Sequence, residues 1–193
     1  MNQMLQEPTQ ETSEVTSEAK LPPEIGDRPP VKAYPRFAKP QRVAFVQAAW
    51  HREVVEECRI AFLDEAEARH IPRASIDVFE VPGSFEIPLH AQLLAKTRRY
   101  TAIVAAGLVV DGGIYRHEFV ADTVIKALMD VQLRTEVPVF SAVLTPQQFH
   151  ESAAHFDFFR KHFATKGIEV AEACANTLHS LERLKGQVAA GIV

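Results

Sequence analysis

From Arg42 onward the apolar positions of the chain fall into two alternating periods. Val43-Ala44-Phe45-Val46 is an unbroken apolar run, the pattern of a strand covered on both faces, and Val54, Val55, Cys58, Ala61 and Phe62 then recur at helical spacing to about Arg69. Pro72 breaks the chain. Ile76, Val78, Phe79 and Val81 predict a second strand, and Pro82-Gly83-Ser84 turns into a helix carrying Ile87, Leu89, Leu93 and Leu94. Pro88 falls in the first turn of that helix, where a missing N–H does little harm. Tyr100 to Val110 predicts a third strand, Val120, Val124, Leu128, Val131 and Leu133 the helix after it, and Val137 to Leu144 a fourth strand. Thr145-Pro146 is expected to begin a further helix, with Gly167 separating it from a last one that runs to about Lys185.

Four strands alternating with helices imply an α/β fold: a four-stranded parallel sheet with right-handed crossovers, helices on both faces, and ligands at the carboxyl ends of the strands. Before this pattern, residues 1–40 are rich in Glu, Gln, Thr and Pro and hold seven of the twelve prolines. They bury too little apolar surface to offset their ordering entropy, so a largely disordered N-terminal arm is expected there. Val31 to Phe37 carries enough apolar side chains to dock onto a neighbouring surface, although Pro35 restricts it to an edge position in any sheet. The globular domain is expected over 41–187, with a C-terminal tail over 188–193.

Composition narrows the function classes. With 47% hydrophobic and 24% charged residues the chain reads as one globular domain. A net charge of −4 supplies no basic field for nucleic acid, and no apolar run approaches the ~20 residues that span a bilayer. Neither nucleic acid nor membrane is expected as a partner. Cys58 and Cys174 both lie within helical patterns, which predicts two buried thiols rather than a disulfide or a metal site. The first residues show no basic segment followed by an apolar core, so the expectation is a cytoplasmic protein.

Candidate chemistry gathers at the predicted strand exits. Trp50, the single tryptophan, follows the first strand and could pack in the core or offer a stacking surface to a planar heterocycle. After the second, Ser84 is placed to cap the helix, leaving the N–H groups of Phe85 and Glu86 free, and the Glu86 carboxylate is available to a polyol. After the third, Asp111-Gly112-Gly113 lets the backbone approach an anion closely, and a helix opens at Arg116-His117-Glu118. Histidine is the side chain whose ordinary pKa, ~6.5, suits proton transfer near neutrality, while arginine stays charged and can hold a phosphate. Ser141 lies in the fourth strand, and His150, His155, Arg160 and His162 follow it. The three histidines do not share one helix face, so no metal site is expected.

Together, Trp50, the run Val81-Pro82-Gly83-Ser84-Phe85-Glu86-Ile87-Pro88, the segment from Gly112 to Val120 and the stretch from Pro138 to Thr145 resemble the lumazine synthase family over about Arg42 to Leu184. The Trp50 and DGGIYRHEFV forms are similar to the second type of that family, exemplified by the Brucella protein. The resemblance implies a flavodoxin-like three-layer α/β/α sandwich. It also implies condensation of 5-amino-6-(D-ribitylamino)uracil with 3,4-dihydroxy-2-butanone 4-phosphate in riboflavin biosynthesis, without a cofactor. Family members are homo-oligomers, as pentamers, pairs of pentamers or sixty-subunit shells, with the site between adjacent subunits. By the same resemblance Trp50 stacks on the pyrimidine, Ser84, Phe85 and Glu86 hold the ribityl chain, and Leu108, Val109, Val110 and Ser141 meet the uracil edge. Gly112, Gly113 and Ile114 fall at the phosphate.

This chain departs from the commoner family pattern Gly-Ala-Thr-x-His-Phe-Asp. An ungapped alignment puts Arg116 at the catalytic histidine, with His117 one residue on, so both are candidates for the acid/base group. Ile114 stands where a hydroxyl is expected beside the phosphate. The phosphate-binding arginine falls on His155 without a gap and on Arg160 only if residues loop out. Two other readings fit the same elements: a flavodoxin-like module that binds a flavin or nucleotide, and a structural oligomer with a degraded site.

Overall fold

The computed structural model describes residues 33–113, 116–150 and 152–192. The element order is β1 (Val43–Ala48), α1 (Arg52–Ala68), β2 (Ile76–Val81), α2 (Ile87–Lys96), β3 (Ala102–Leu108), α3 (His117–Thr135), β4 (Val139–Leu144) and α4 (Ala153–Ala189). All pairings are parallel and the strand order is β2-β1-β3-β4, the α/β sheet that the alternating pattern implies. Every residue of β1 is buried. Alternation sends Val43 and Phe45 into one core with α1 and α4, and Ala44, Val46 and Ala48 into the other with α2 and α3. The chain leaves β1 toward β2 on one side and returns to β3 on the other. That reversal places a crevice outside the carboxyl ends of β1 and β3.

The expected helix from Thr145-Pro146 and the break at Gly167 are both corrected. Residues 145–150 are irregular, and Ser152 starts the last helix, its Oγ accepting from the His155 N–H at 3.4 Å. From there α4 runs unbroken for 37 residues, past the 188 expected to open the tail. Gly167 is buried inside it. A Cβ there would lie 2.3 Å from the Cys58 carbonyl oxygen and 2.8 Å from the Ala61 Cβ, so this glycine lets α4 press against α1. Close packing overrides the roughly 1 kcal/mol by which glycine disfavours a helix.

The arm expected over 1–40 is placed from Ala33 onward, and the rest of that expectation, residues 1–32, lies outside the described residues. Phe37 stacks on His179 at 3.9 Å, and the Glu182 carboxylate accepts from the Ala38 and Lys39 N–H groups and from Gln41 Nε2. Tyr34 lies under the Arg69 guanidinium at 4.1 Å. Cys58 and Cys174 are buried and unpaired, and burial pushes both thiols up to about 12. Among the described residues no helix is long and apolar enough to cross a membrane.

At the amino ends of the strands Arg42 donates to both oxygens of Asp77 at 2.9 Å, and the Tyr100 hydroxyl donates to Oδ2 at 2.8 Å. The triad ties β1 to β2 and to the entry of β3. These bonds, Tyr100 first and Arg42 next, hold the Asp77 carboxyl below its ordinary range. Burial, with the Asp77 bond, pushes the Tyr100 phenol up.

Two outcomes follow. Gly167→Ala lowers stability by about 1–3 kcal/mol in urea titrations, although alanine is the better helix former. Because the Asp77 carboxyl titrates lower folded than unfolded, its contribution is full above the ordinary value and lost as pH falls through the folded one. The Tm gap between wild type and Asp77→Asn is therefore widest above the ordinary carboxylate range and narrows as pH falls below it.

Candidate active site

The crevice holds a cavity of about 190 Å³. The exit of β1 supplies Trp50 and His51, the turn after β2 supplies Ser84 and Phe85, and the exit of β3 supplies Leu108, Val109 and Val110. His117 and Val120 close it from the start of α3. Clefts of about 610 and 380 Å³ lie along the Tyr34–Gln41 segment and at the amino ends of the strands, remote from these groups.

Backbone pairing continues past the sheet here. The Ala49 N–H donates to the Val81 carbonyl at 2.7 Å and the Trp50 N–H to the Pro82 carbonyl at 3.1 Å. These bonds lay the indole across Gly83, where a Cβ would come within 2.8 Å of indole carbons Cε3 and Cζ3. The indole nevertheless stays 65% exposed, so it is an open face and not core packing.

The expected cap at Ser84 is corrected. A short 3₁₀ turn over Ser84–Glu86 precedes α2, and Gly83 opens it. The Glu86 carboxylate folds back to accept from the Gly83 N–H at 2.9 Å, and the Glu86 N–H donates to the Gly83 carbonyl at 3.4 Å, so that N–H is not free. Ser84 is 5% exposed and its Oγ has no hydrogen-bond partner among the described residues. It is pressed onto the next strand: a Cβ on Gly107 would sit 2.4 Å from that oxygen. A buried hydroxyl without a partner costs about 1–3 kcal/mol.

Past β3 the Val109 N–H still donates to the Leu144 carbonyl at 2.9 Å. Asp111 then turns the backbone, Oδ1 accepting from the Gly113 N–H at 2.8 Å, with Gly113 at φ +71°. Gly112 and Gly113 are exposed, and among the described residues nothing lies within 4 Å of an added Cβ at either, leaving an open ledge. Ile114 lies outside the described residues. The two acid/base candidates separate clearly: Arg116 is exposed, its guanidinium 5.3 Å from the centre of the Phe119 ring, whereas the His117 side chain is 13% exposed and lines the cavity. Its Nδ1 lies 3.7 Å from a Glu118 carboxylate oxygen.

Other expected members stand apart. Ser141 pairs with Ala105 in mid-strand, short of the β4 exit at Leu144, and its Oγ accepts from the Val143 N–H at 3.3 Å. Arg160 pairs with Glu57 on α1 at 3.3 Å. His155 accepts at Nδ1 from the His150 N–H at 3.2 Å, and its ring packs 6.3 Å from Phe149. Phe149 in turn meets the ring of His51 edge-on at 5.4 Å. His51 is a lining residue that reading from the sequence does not single out; its only signal there is adjacency to Trp50. Among the described residues no group of His, Cys, Asp and Glu could hold a metal ion.

Comparison with known proteins matches residues 40–182 to the family model described as 6,7-dimethyl-8-ribityllumazine synthase. The chain is 84% identical over 164 residues, covering 85% of it and 98% of the relative, to 6,7-dimethyl-8-ribityllumazine synthase 2 of Bradyrhizobium diazoefficiens. It is 64% identical over 182 residues to the protein of the same name in Rhodopseudomonas palustris, covering 94% of this chain and 97% of that one. It is 60% identical over 144 residues to 6,7-dimethyl-8-ribityllumazine synthase of Rhodococcus erythropolis, covering 75% and 93%.

As the single tryptophan, Trp50 reports on this geometry. Gly83→Ala is expected to displace the indole, shift its emission maximum and cost about 1–3 kcal/mol, whereas Gly112→Ala leaves the emission unchanged.

Proposed function

The chain belongs to the 6,7-dimethyl-8-ribityllumazine synthase family, in its second type, and from that membership we propose that it is itself a transferase of riboflavin biosynthesis. It condenses 5-amino-6-(D-ribitylamino)uracil with 3,4-dihydroxy-2-butanone 4-phosphate, releasing phosphate and water. The observation that carries this reading is the meeting of an open indole, Trp50, and an inward imidazole, His117, in one cavity at the reversal of the sheet.

In this reading the pyrimidine stacks on Trp50 with its edge toward Leu108, Val109 and Val110. The ribityl chain runs to the turn at Ser84 and Phe85, where the unpartnered Ser84 hydroxyl favours a polar ligand. Phosphate occupies the ledge at Gly112 and Gly113. Arg116 stands beside it as a fixed positive charge. His155 is the better second phosphate contact, because Arg160 is engaged with Glu57. With Nδ1 accepting a backbone N–H, the neutral His155 ring carries its proton on Nε2 as a donor.

The uracil amine attacks the ketone and loses water to give an imine. Phosphate then leaves as a proton is removed from the adjacent hydroxyl-bearing carbon, the enol so formed tautomerises to a new ketone, and attack of the ribityl-bearing nitrogen on that ketone closes the ring with loss of a second water. Holding two reactants in register can account for up to ~7–11 kcal/mol of the barrier in favourable cases. His117 moves the protons.

Assembly belongs to the same proposal, as a pentamer or a pair of pentamers. Leu89 and Leu93 of α2 and Met129 and Leu133 of α3 are exposed, and so are Phe85 and Phe119 beside the cavity, which suits a neighbouring subunit that completes the site. Two unpaired thiols suit a reducing, cytoplasmic setting.

Incubating the protein with both substrates and following lumazine absorbance tests the activity. His117→Ala is expected to lower kcat on the order of 10²-fold, whereas Arg116→Ala chiefly raises KM for the butanone phosphate. Wild-type turnover in His117→Ala removes its acid/base role.

A further inference from the structure

One group in the cavity is left without a task. Of the described residues lining it, only His51 and His117 carry ionisable side chains. The backbone of His51 is unusual for its place. Among the described residues four that are not glycine have positive φ: His51, His70, Arg98 and Glu136. Glu136 caps the carboxyl end of α3, and His70 and Arg98 lie just past the carboxyl caps of α1 and α2, where a left-handed residue is an ordinary way to end a helix. His51 stands instead at the amino end of α1, with φ 56° and ψ 38°. Residues there are normally extended and supply a side-chain oxygen to the first turn. Among the described residues His51 makes no such bond.

A left-handed backbone is disfavoured for a residue with a Cβ, and at such a place it persists where the surroundings over-determine it. Here the conformation seats the ring. Its edge-on contact with Phe149, itself buried, braces the imidazole from behind while it lines the cavity beside Trp50. Apart from Ser84 and His117 the other lining residues are apolar or aromatic, and apolar walls hold a heterocycle without orienting it. A neutral imidazole donates from one nitrogen and accepts at the other, so it matches a carbonyl or an N–H on a ring edge.

We infer that His51 is a specificity-determining residue that hydrogen-bonds the polar edge of the ring-bearing substrate whose face Trp50 covers. The inference rests on the proposed function, since it takes the ring to be that of the ribitylaminouracil. Two consecutive residues then read the face and the edge of one ring.

The test is steady-state kinetics on the full chain with both substrates, comparing wild type, His51→Gly, His51→Asn and Arg98→Gly. Glycine and asparagine accept the left-handed backbone, so the imidazole is removed without adding strain. The expected result in His51→Gly is a KM for ribitylaminouracil raised about tenfold, the size of one hydrogen bond, with KM for the butanone phosphate within about twofold of wild type. Arg98→Gly relieves the same backbone conformation near the entry of β3, at the other end of the sheet, and leaves both constants unchanged. An unaltered KM for ribitylaminouracil in His51→Gly overturns the inference, as does an equal rise in both constants. His51→Asn is judged by the same criterion where the glycine variant yields no folded protein. A wild type that forms no lumazine overturns the substrate reading itself, and shows this before any variant is made.

Discussion

A strand with all six residues buried has to be covered on both faces and paired along both edges, and β1 meets each demand with a different part of the chain. α1 and α4 cover one face, α2 and α3 the other, and β2 and β3 take the two edges. Since β2 and β3 lie on opposite sides of β1, the loops leaving β1 and β3 diverge, and the space between them stays unfilled by the protein's own backbone. The cavity is a consequence of how the central strand is buried.

What furnishes that space is close approach. Gly83 admits the indole of Trp50, Gly107 admits the hydroxyl of Ser84, and at a distance Gly167 admits α1 against α4. In each case a Cβ would come closer than 3 Å to a neighbouring atom, and the missing methyl group sets a wall. The Glu86 carboxylate serves the same end by tying the turn after β2 to the Gly83 N–H, which fixes where Ser84 and Phe85 point. Most of the cavity lining is thus held by backbone geometry, and its side-chain chemistry is concentrated in few groups. An apolar enclosure with an indole and imidazoles favours a planar heterocycle over a highly charged ligand, and the exposed ledge at Gly112 and Gly113 suits an anion beside it.

Much of this was legible in the sequence because it is local. Unbroken apolar runs mark strands buried on both faces, and helical spacing marks the covering layers, so all four strands and the α/β class followed from periodicity, as did the gathering of Trp50, Ser84, Phe85 and His117 near strand exits. The family resemblance rested on the same short motifs, and the matching family model spans them. Register, by contrast, is a relation between distant segments. It leaves Ser141 short of the strand exit, pairs Arg160 with Glu57, and turns His117 rather than Arg116 toward the cavity.

The sequence by itself determined the order of elements, the buried character of β1 and the residues that arrive at the carboxyl ends, since each depends only on side-chain pattern along the chain. Tertiary structure alone decided the meaning of Gly167, read as a helix break but serving as a contact between helices. It likewise decided the partner of Glu86, the lack of a partner for Ser84 among the described residues, and the left-handed backbone of His51, whose ring lines the cavity beside Trp50. The physical reason is the same throughout. A glycine, a hydroxyl or an imidazole has several uses of similar local energy, and only the neighbour brought against it by the packed sheet selects one.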